Sequence, residues 1–119
     1  MVHENIWVKV KEAKFDPEVG IAISKLAEGE NASVHVAIVN PGVKLKDHYH
    51  KFRDEIYVIL KGKGEIRLND RYIEVVEGDV VLIPKGTIHS IRNIGDEVLI
   101  FLFMSSPPFD PEHDRYIVD

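Results

Sequence analysis

The stretch Gly42-Val43-Lys44-Leu45-Lys46-Asp47-His48-Tyr49-His50-Lys51-Phe52-Arg53-Asp54-Glu55-Ile56-Tyr57-Val58-Ile59-Leu60-Lys61-Gly62 decides how this chain is read. It sets two histidines, one carboxylate and a run of apolar residues between two glycines. Alternate residues on a strand point to the same face, so His48 and His50 share one, with Cα atoms roughly 6.5 Å apart. Both rings can then reach a single ion. Glu55 stands at an odd offset from His50, which a straight strand would turn to the opposite face. The mostly polar run Lys51-Phe52-Arg53-Asp54 therefore reads as a bend that resets the direction. Glu55 then opens the next strand, with Tyr57 and Ile59 on its face.

A second pattern lies further along: Gly78, Pro84, Gly86, His89 and Asn93. The turn at Pro84-Lys85-Gly86 brings a distant strand beside the first and supplies a third imidazole, His89. Three imidazoles and a carboxylate suit a divalent transition ion, one of Mn, Fe, Co, Ni, Cu or Zn, whereas Ca and Mg prefer oxygen-only sites. Four protein ligands leave a position open on a five- or six-coordinate ion, which permits catalysis. Tyr57, on the face of Glu55, is a candidate to donate a hydrogen bond near the ion, or simply to pack in the core.

Outside these motifs the dominant apolar period is two, which predicts strands. They are expected at Ile6 to Val10, Val19 to Leu26, Ala32 to Val39, Ile56 to Leu60, Asp79 to Ile83, Ile88 to Arg92 and Val98 to Met104. A hairpin is expected between Glu65 to Leu68 and Tyr72 to Val76, turning at Asn69-Asp70. Many short strands with turn residues between them indicate an all-β sandwich or barrel. Val98 to Met104 is apolar at nearly every position, so both faces need cover. A barrel interior covers one and a second copy of the chain would cover the other, which predicts a homodimer. The tail from Ser105 to Asp119 carries three prolines and many charges and reads either as an irregular arm, packed on the barrel or on a neighbouring chain through Phe109 and Tyr116, or as a frayed tail.

The chain has 119 residues, no cysteine, 45% hydrophobic residues and a formal net charge of −5. Disulfides and thiol chemistry are excluded. The charge balance gives no basic surface for nucleic acid. No apolar run approaches the roughly 20 residues of a membrane span, and Met1 to Val10 does not have the form of a signal peptide. A cytoplasmic location is the simplest expectation.

The paired motifs resemble those of the cupin superfamily over about positions 30 to 104. The resemblance implies a small double-stranded β-helix, a jelly-roll β-barrel, as one domain spanning 1–119. In this division N-terminal strands fill 1–29 and the arm fills 105–119. It also implies that His48, His50, Glu55 and His89 are the metal ligands. The chain is similar to small cupins often compared with mannose-6-phosphate isomerase. The function so implied is a metalloenzyme acting on a small-molecule substrate, by isomerase or epimerase chemistry or by dioxygenase chemistry. The alternative is a binding module that holds metal or a small ligand without turnover.

Some residues are read as structural. Gly42, Gly62, Gly78 and Gly86 serve the backbone, and Asn93 stabilises a turn. His3, His35 and His113 lack motif support. His35 faces outward in one strand register and lines the barrel in the other, with a structural role favoured. Lys44, Lys46, Lys51 and Arg53 flank the ligand loop and are read first as solvated surface, second as a reception for an anionic substrate.

Overall fold

Residues 1–119 are described by a computed structural model. Period-two alternation along the chain becomes eleven strands and one short helix. In chain order these are α1 (Ile6–Lys11), β1 (Lys14–Asp16), β2 (Ile21–Glu28), β3 (Ser33–Val39), β4 (His48–Tyr49), β5 (Asp54–Lys61), β6 (Lys63–Leu68), β7 (Arg71–Val76), β8 (Val80–Ile83), β9 (His89–Asn93), β10 (Leu99–Ser106) and β11 (Tyr116–Ile117). Six strands form one antiparallel sheet in the order β1-β2-β3-β10-β5-β8, and five form the other in the order β11-β4-β9-β6-β7. The all-β jelly-roll architecture expected from the sequence is thus present. No helix is long and apolar enough to cross a membrane.

The two sheets face each other across one apolar core. Ala37 and Val39 of β3, Tyr57 and Ile59 of β5, Ile66 of β6, Ile91 of β9, and Phe101 and Phe103 of β10 all belong to it. Each is a strand residue at an inward position, and burying each large side chain contributes about 1.5–3 kcal/mol. Asn93 closes one end of the barrel. Its Nδ2 donates to the Val39 and Glu97 carbonyls at 2.9 and 2.8 Å, and its Oδ1 accepts from the Gly95 amide at 2.9 Å. A fully buried amide with its groups so matched holds the turn without a desolvation penalty.

The expectation of a strand at Ile6 to Val10 is corrected: this segment is the helix α1. The alternation of Ile6, Val8 and Val10 satisfies a strand, but the Ile6 and Val10 pair also falls one helical turn apart. The cap decides between them. The Asn5 side chain accepts hydrogen bonds from the Trp7 and Val8 amides, which ties off the first turn. Ile6 and Val10 then pack onto the outer apolar cluster of Leu26, Val36 and Ile100. The N-terminal region is therefore a helix followed by two strands.

That helix also bears on β10. Its inner residues Phe101 and Phe103 enter the core, and its outer residues Ile100 and Leu102 join the cluster against which α1 packs. Towards β8 the outer face is open: Met104, Val80 and Leu82 are exposed. A second copy, expected from the sequence over Val98 to Met104, would meet an outer face that α1 of the same chain already covers in part.

Gly62 shows how tightly one turn is built. It joins β5 to β6 at φ +91°, and a Cβ there would lie 2.7 Å from the Val98 carbonyl oxygen and 2.9 Å from Leu99 Cα. Both neighbours are backbone and cannot swing aside. Gly62→Ala is expected to destabilise the protein by about 2–5 kcal/mol, from backbone strain and overpacking together. A urea midpoint equal to the parent's would show that the turn relaxes freely.

Candidate metal centre

Strand pairing assembles the site. His48 on β4 is the direct register partner of His89 on β9. His50 follows β4 immediately, and Glu55 faces them from β5 of the opposite sheet. The two sequence patterns are stitched together where the Gly86 amide donates to the His50 carbonyl at 2.6 Å. The ring centroids of His48 lie 4.9 Å from those of His50 and 4.2 Å from those of His89. One ring nitrogen from each histidine lies within 4.8 Å of the others. Glu55 Oε1 is 3.2 Å from His50 Nε2 and 3.4 Å from His89 Nε2. All four residues are buried.

The outer nitrogens explain the orientation of the rings. His48 Nδ1 donates to the Lys46 carbonyl at 2.7 Å, His50 Nδ1 to the Asp114 carbonyl at 2.6 Å, and His89 Nδ1 to the Thr87 carbonyl at 2.8 Å. A carbonyl can only accept, so each Nδ1 carries the hydrogen. In the neutral ring each Nε2 then presents a lone pair, the arrangement in which a backbone partner fixes an imidazole for a metal. His89 Nε2 is buried and has no hydrogen-bond partner in the protein. A carboxylate oxygen beside two lone-pair nitrogens calls for a positive centre among them. The donor set therefore fits a divalent transition ion.

Electrostatics points the same way. Burial, with His89 and His50 alongside, pushes the His48 pKa well below its ordinary value, so the ring is neutral. Burial alone would raise the Glu55 carboxyl, but donated hydrogens and positive charge at His50 and His89 hold it well below the usual range, the part that a cation plays when both Nε2 atoms present lone pairs. Burial and the Glu55 charge push the Tyr57 phenol well above its ordinary value. Tyr57 therefore stays protonated and is a donor, not a base. Its ring packs 4.6 Å from Phe101 and 6.1 Å from His89, and it lines the cavity over the site.

Sequence reasoning missed two residues here. Arg53, read first as surface, is only 1% exposed. Its Nε donates to Glu55 Oε2 at 3.3 Å, and Ser105 Oγ donates to the same oxygen at 3.0 Å. The reason is charge balance, because a buried carboxylate needs a buried cation. Arg53, two residues before Glu55, was the nearest one in sequence that could turn inward. Asp114 was missed for lack of any local signal. Its carboxylate accepts from the Lys51 and Phe52 amides at 2.7 and 3.2 Å, while its carbonyl fixes His50. The C-terminal arm thus packs on its own barrel: β11 pairs with β4, and Phe109 seats against His35 and Phe103. The remaining flanking lysines lie outside the cluster, with Lys44 paired to Asp47 at 3.0 Å and Lys51 over the Tyr116 ring at 4.4 Å.

His35 takes the inward register. It is stacked on Phe103 with centroids 5.0 Å apart, and its Nδ1 is buried without a partner. Burial, then the charge of Lys25, lowers its pKa to about 4. The unfolded chain binds a proton near the ordinary histidine value, while the folded chain refuses one until pH falls much further. Stability from His35 is therefore complete above about pH 6.5 and lost as pH falls toward about 4, with His48 adding in the same direction. We expect the urea midpoint to drop between about pH 7 and about pH 4.5. His35→Phe should lessen that drop; an equal drop in the variant would assign the effect to other groups.

The cavity above the cluster is narrow. It is lined by Tyr57, Phe101, Phe103, Phe109, Arg53 and Arg115 among others, and its free volume is about 20 Å³. That is room for about one water molecule.

Two packed antiparallel sheets, with three histidines and a glutamate gathered between them, define a jelly-roll protein with a candidate metal site. The chain belongs to the cupin family: the family model described as a cupin domain matches residues 35–105. An uncharacterized protein of Methanocaldococcus jannaschii, MJ1618, is 41% identical over 71% of this chain and 68% of its own length. A glucose-6-phosphate isomerase of Pyrococcus furiosus is 33% identical over 95% of this chain, which spans 66% of that enzyme. Among solved structures, a conserved protein with a double-stranded β-helix domain from Klebsiella pneumoniae superposes with a TM-score of 0.79 at 18% identity. It covers 98% of this chain and 99% of that one, which shows a shared fold.

Proposed function

We propose that this chain is a metal-dependent cupin that holds one divalent transition ion on His48, His50, His89 and Glu55 and acts on a small molecule beside it. The observation that carries the reading is the buried His89 Nε2, which has no partner in the protein and points at the same place as the other donors. When bound, such an ion supplies Lewis-acid polarisation of a carbonyl or hydroxyl oxygen, and a redox-active one supplies dioxygen activation. The chain's own residues do the rest. The three backbone carbonyls hold the imidazoles in one tautomer. Glu55 supplies the negative charge that balances a cation, Tyr57 stands protonated on the cavity wall, and Phe101, Phe103 and Phe109 keep water out. Isomerase chemistry is favoured over dioxygenase chemistry, because the similar Pyrococcus furiosus protein is a glucose-6-phosphate isomerase.

One observation favours a second reading. A free volume of about 20 Å³ does not admit a sugar phosphate, so a module that binds metal without turnover is consistent with the closed interior. Reconstitution separates the two. Protein stripped by chelator is reloaded with Mn, Fe, Co, Ni or Zn, then assayed for aldose–ketose interconversion and for oxygen uptake. Turnover that depends on the ion and conserves the substrate's formula supports the isomerase. Stoichiometric metal without conversion of any substrate supports the binding module.

A further inference from the structure

The histidine cluster is closed off from solvent. His48, His50, Glu55 and His89 are each 5% exposed or less, and the cavity over them has a free volume of about 20 Å³. An ion, or a molecule that meets it, reaches this place only if part of the wall moves. Most of that wall is β-ladder. Strands β2, β5 and β10 supply Ile21, Ile23, Tyr57, Phe101 and Phe103, and each strand is hydrogen-bonded to a neighbour on both sides. Moving one of them breaks two ladders and exposes buried apolar surface, which places it among the last parts of a fold to open.

The arm after β10 supplies the rest of the wall, Phe109 and Arg115, and is held differently. Of residues 107–119 only Asp114 is buried, so little apolar surface anchors the segment. Strand β11 meets β4 over two residue pairs, Tyr116 with Tyr49 and Ile117 with His48. The other ties are polar. Arg115 pairs with Asp16 at 2.8 Å and Glu18 at 3.0 Å, and the Phe109 amide donates to Ser33 Oγ at 2.8 Å. Water replaces polar contacts of this kind at modest net cost when a segment lifts. Phe109 is also the one residue that borders both the inner cavity and an outer cleft of about 460 Å³, which Phe52, Pro107, Pro108 and Asp110 help to line.

The arm touches the site itself. The Asp114 carbonyl accepts from His50 Nδ1 at 2.6 Å and from Arg53 Nη1 at 3.1 Å. Lifting the arm therefore withdraws Phe109 from the cavity wall and frees the His50 ring in one movement, and lowering it restores both. We propose that residues 107–117 are a lid on the histidine cluster, with the Phe109 ring as its door and the Asp114 carbonyl as the latch that sets His50 when the lid shuts. The inference rests on the metal-site reading above and adds how access to that site is controlled. The narrow interior is the shut form, and its size does not limit what the open form admits.

Hydrogen exchange in the full chain tests the lid without any ion. The Lys51 and Phe52 amides donate to the Asp114 carboxylate at 2.7 and 3.2 Å, and the Val118 amide donates to the Asp47 carbonyl at 2.9 Å. All three bonds break when the arm lifts. These amides are expected to share one protection factor, about tenfold or more below that of the β10 amides. Lys51 and Phe52 as protected as β10 would overturn the proposal, whether or not Val118 frays at the chain end.

A lock tests the lid with an ion. The chain has no cysteine. Opposed residues on antiparallel strands have Cα atoms about 4.5–5.5 Å apart, within the span of a disulfide. Tyr49→Cys with Tyr116→Cys therefore ties β11 to β4, while Tyr49→Ser with Tyr116→Ser removes the same stacked rings without a bridge. Both proteins are given Zn(II), and its uptake and its return to a chromophoric chelator are timed. The bridged protein is expected to be about tenfold or more slower in both directions than the serine pair. Equal rates would overturn the lid. If the bridged protein does not fold, hydrogen exchange in the parent decides. A parent protein that binds no Zn(II) would remove the metal-site reading instead, and hydrogen exchange would still decide on the lid.

Discussion

His50→Ala and His89→Ala proteins are each expected to emerge from purification without bound metal while retaining β-rich circular dichroism. Each substitution deletes a donor from a set in which every member is oriented by a backbone carbonyl. Loss of a supporting partner alone costs about 10–100-fold in metal affinity, and loss of the ligand itself costs more. The two variants should differ in stability. His50 also ties the Asp114 carbonyl and the Arg53 guanidinium to the barrel, so its removal frees two buried groups. His89 has an unpartnered Nε2 in the protein, so its removal relieves one orphan while opening a small cavity. Metal content by atomic emission after dialysis, alongside thermal melts, checks both points. Metal retained at the parent's level in both variants would show that the ion is held elsewhere.

Removing the carboxylate should cost stability more than any other change at the site. Glu55→Ala leaves Arg53, 1% exposed, with only the more distant Asp114 carboxylate at 3.8 Å as counter-charge, and breaking one side of a buried ion pair costs about 3–5 kcal/mol. It also strands the Ser105 hydroxyl, which donates to the same carboxylate. Glu55→Gln should fall between, because the amide oxygen still accepts from Ser105 but carries no charge. The double variant Glu55→Ala, Arg53→Met should regain much of the loss, since it removes both charges together. Denaturant midpoints for the parent, Glu55→Ala, Arg53→Met and the double variant complete the cycle. A Glu55→Ala midpoint matching the parent's would mean that the pair is balanced by something other than these two residues.

The barrel was legible in the sequence because its signals are local. Continuous apolar runs marked β5 and β10, alternation marked the hairpin of β6 and β7, and turn residues marked their ends. Asn69 takes the left-handed conformation at φ 56°, as the Asn69-Asp70 turn required. The four gathered residues were legible because two strand neighbours and two motif glycines restrict them, although their approach depends on pairings between distant segments. Ile6 to Val10 misled because alternating β-branched residues fit both periods over so short a run, and only the Asn5 cap separates them. Arg53 was hidden because a charged side chain in a polar bend looks solvated until its neighbour's burial is known. Asp114 was beyond reach: it meets His50 across 64 positions of sequence, through a main-chain atom that any residue type would provide.

That last contact has a practical meaning for anyone handling the protein. The carbonyl that locks His50 belongs to the arm beyond β10, and Val118 of the same arm is joined to the ligand loop by the hydrogen bond its amide donates to the Asp47 carbonyl at 2.9 Å. A change in the arm that carries Asp114 and Val118 therefore reaches the imidazole through these two contacts. Variants that differ only in this arm should differ in how firmly the His50 ring is held.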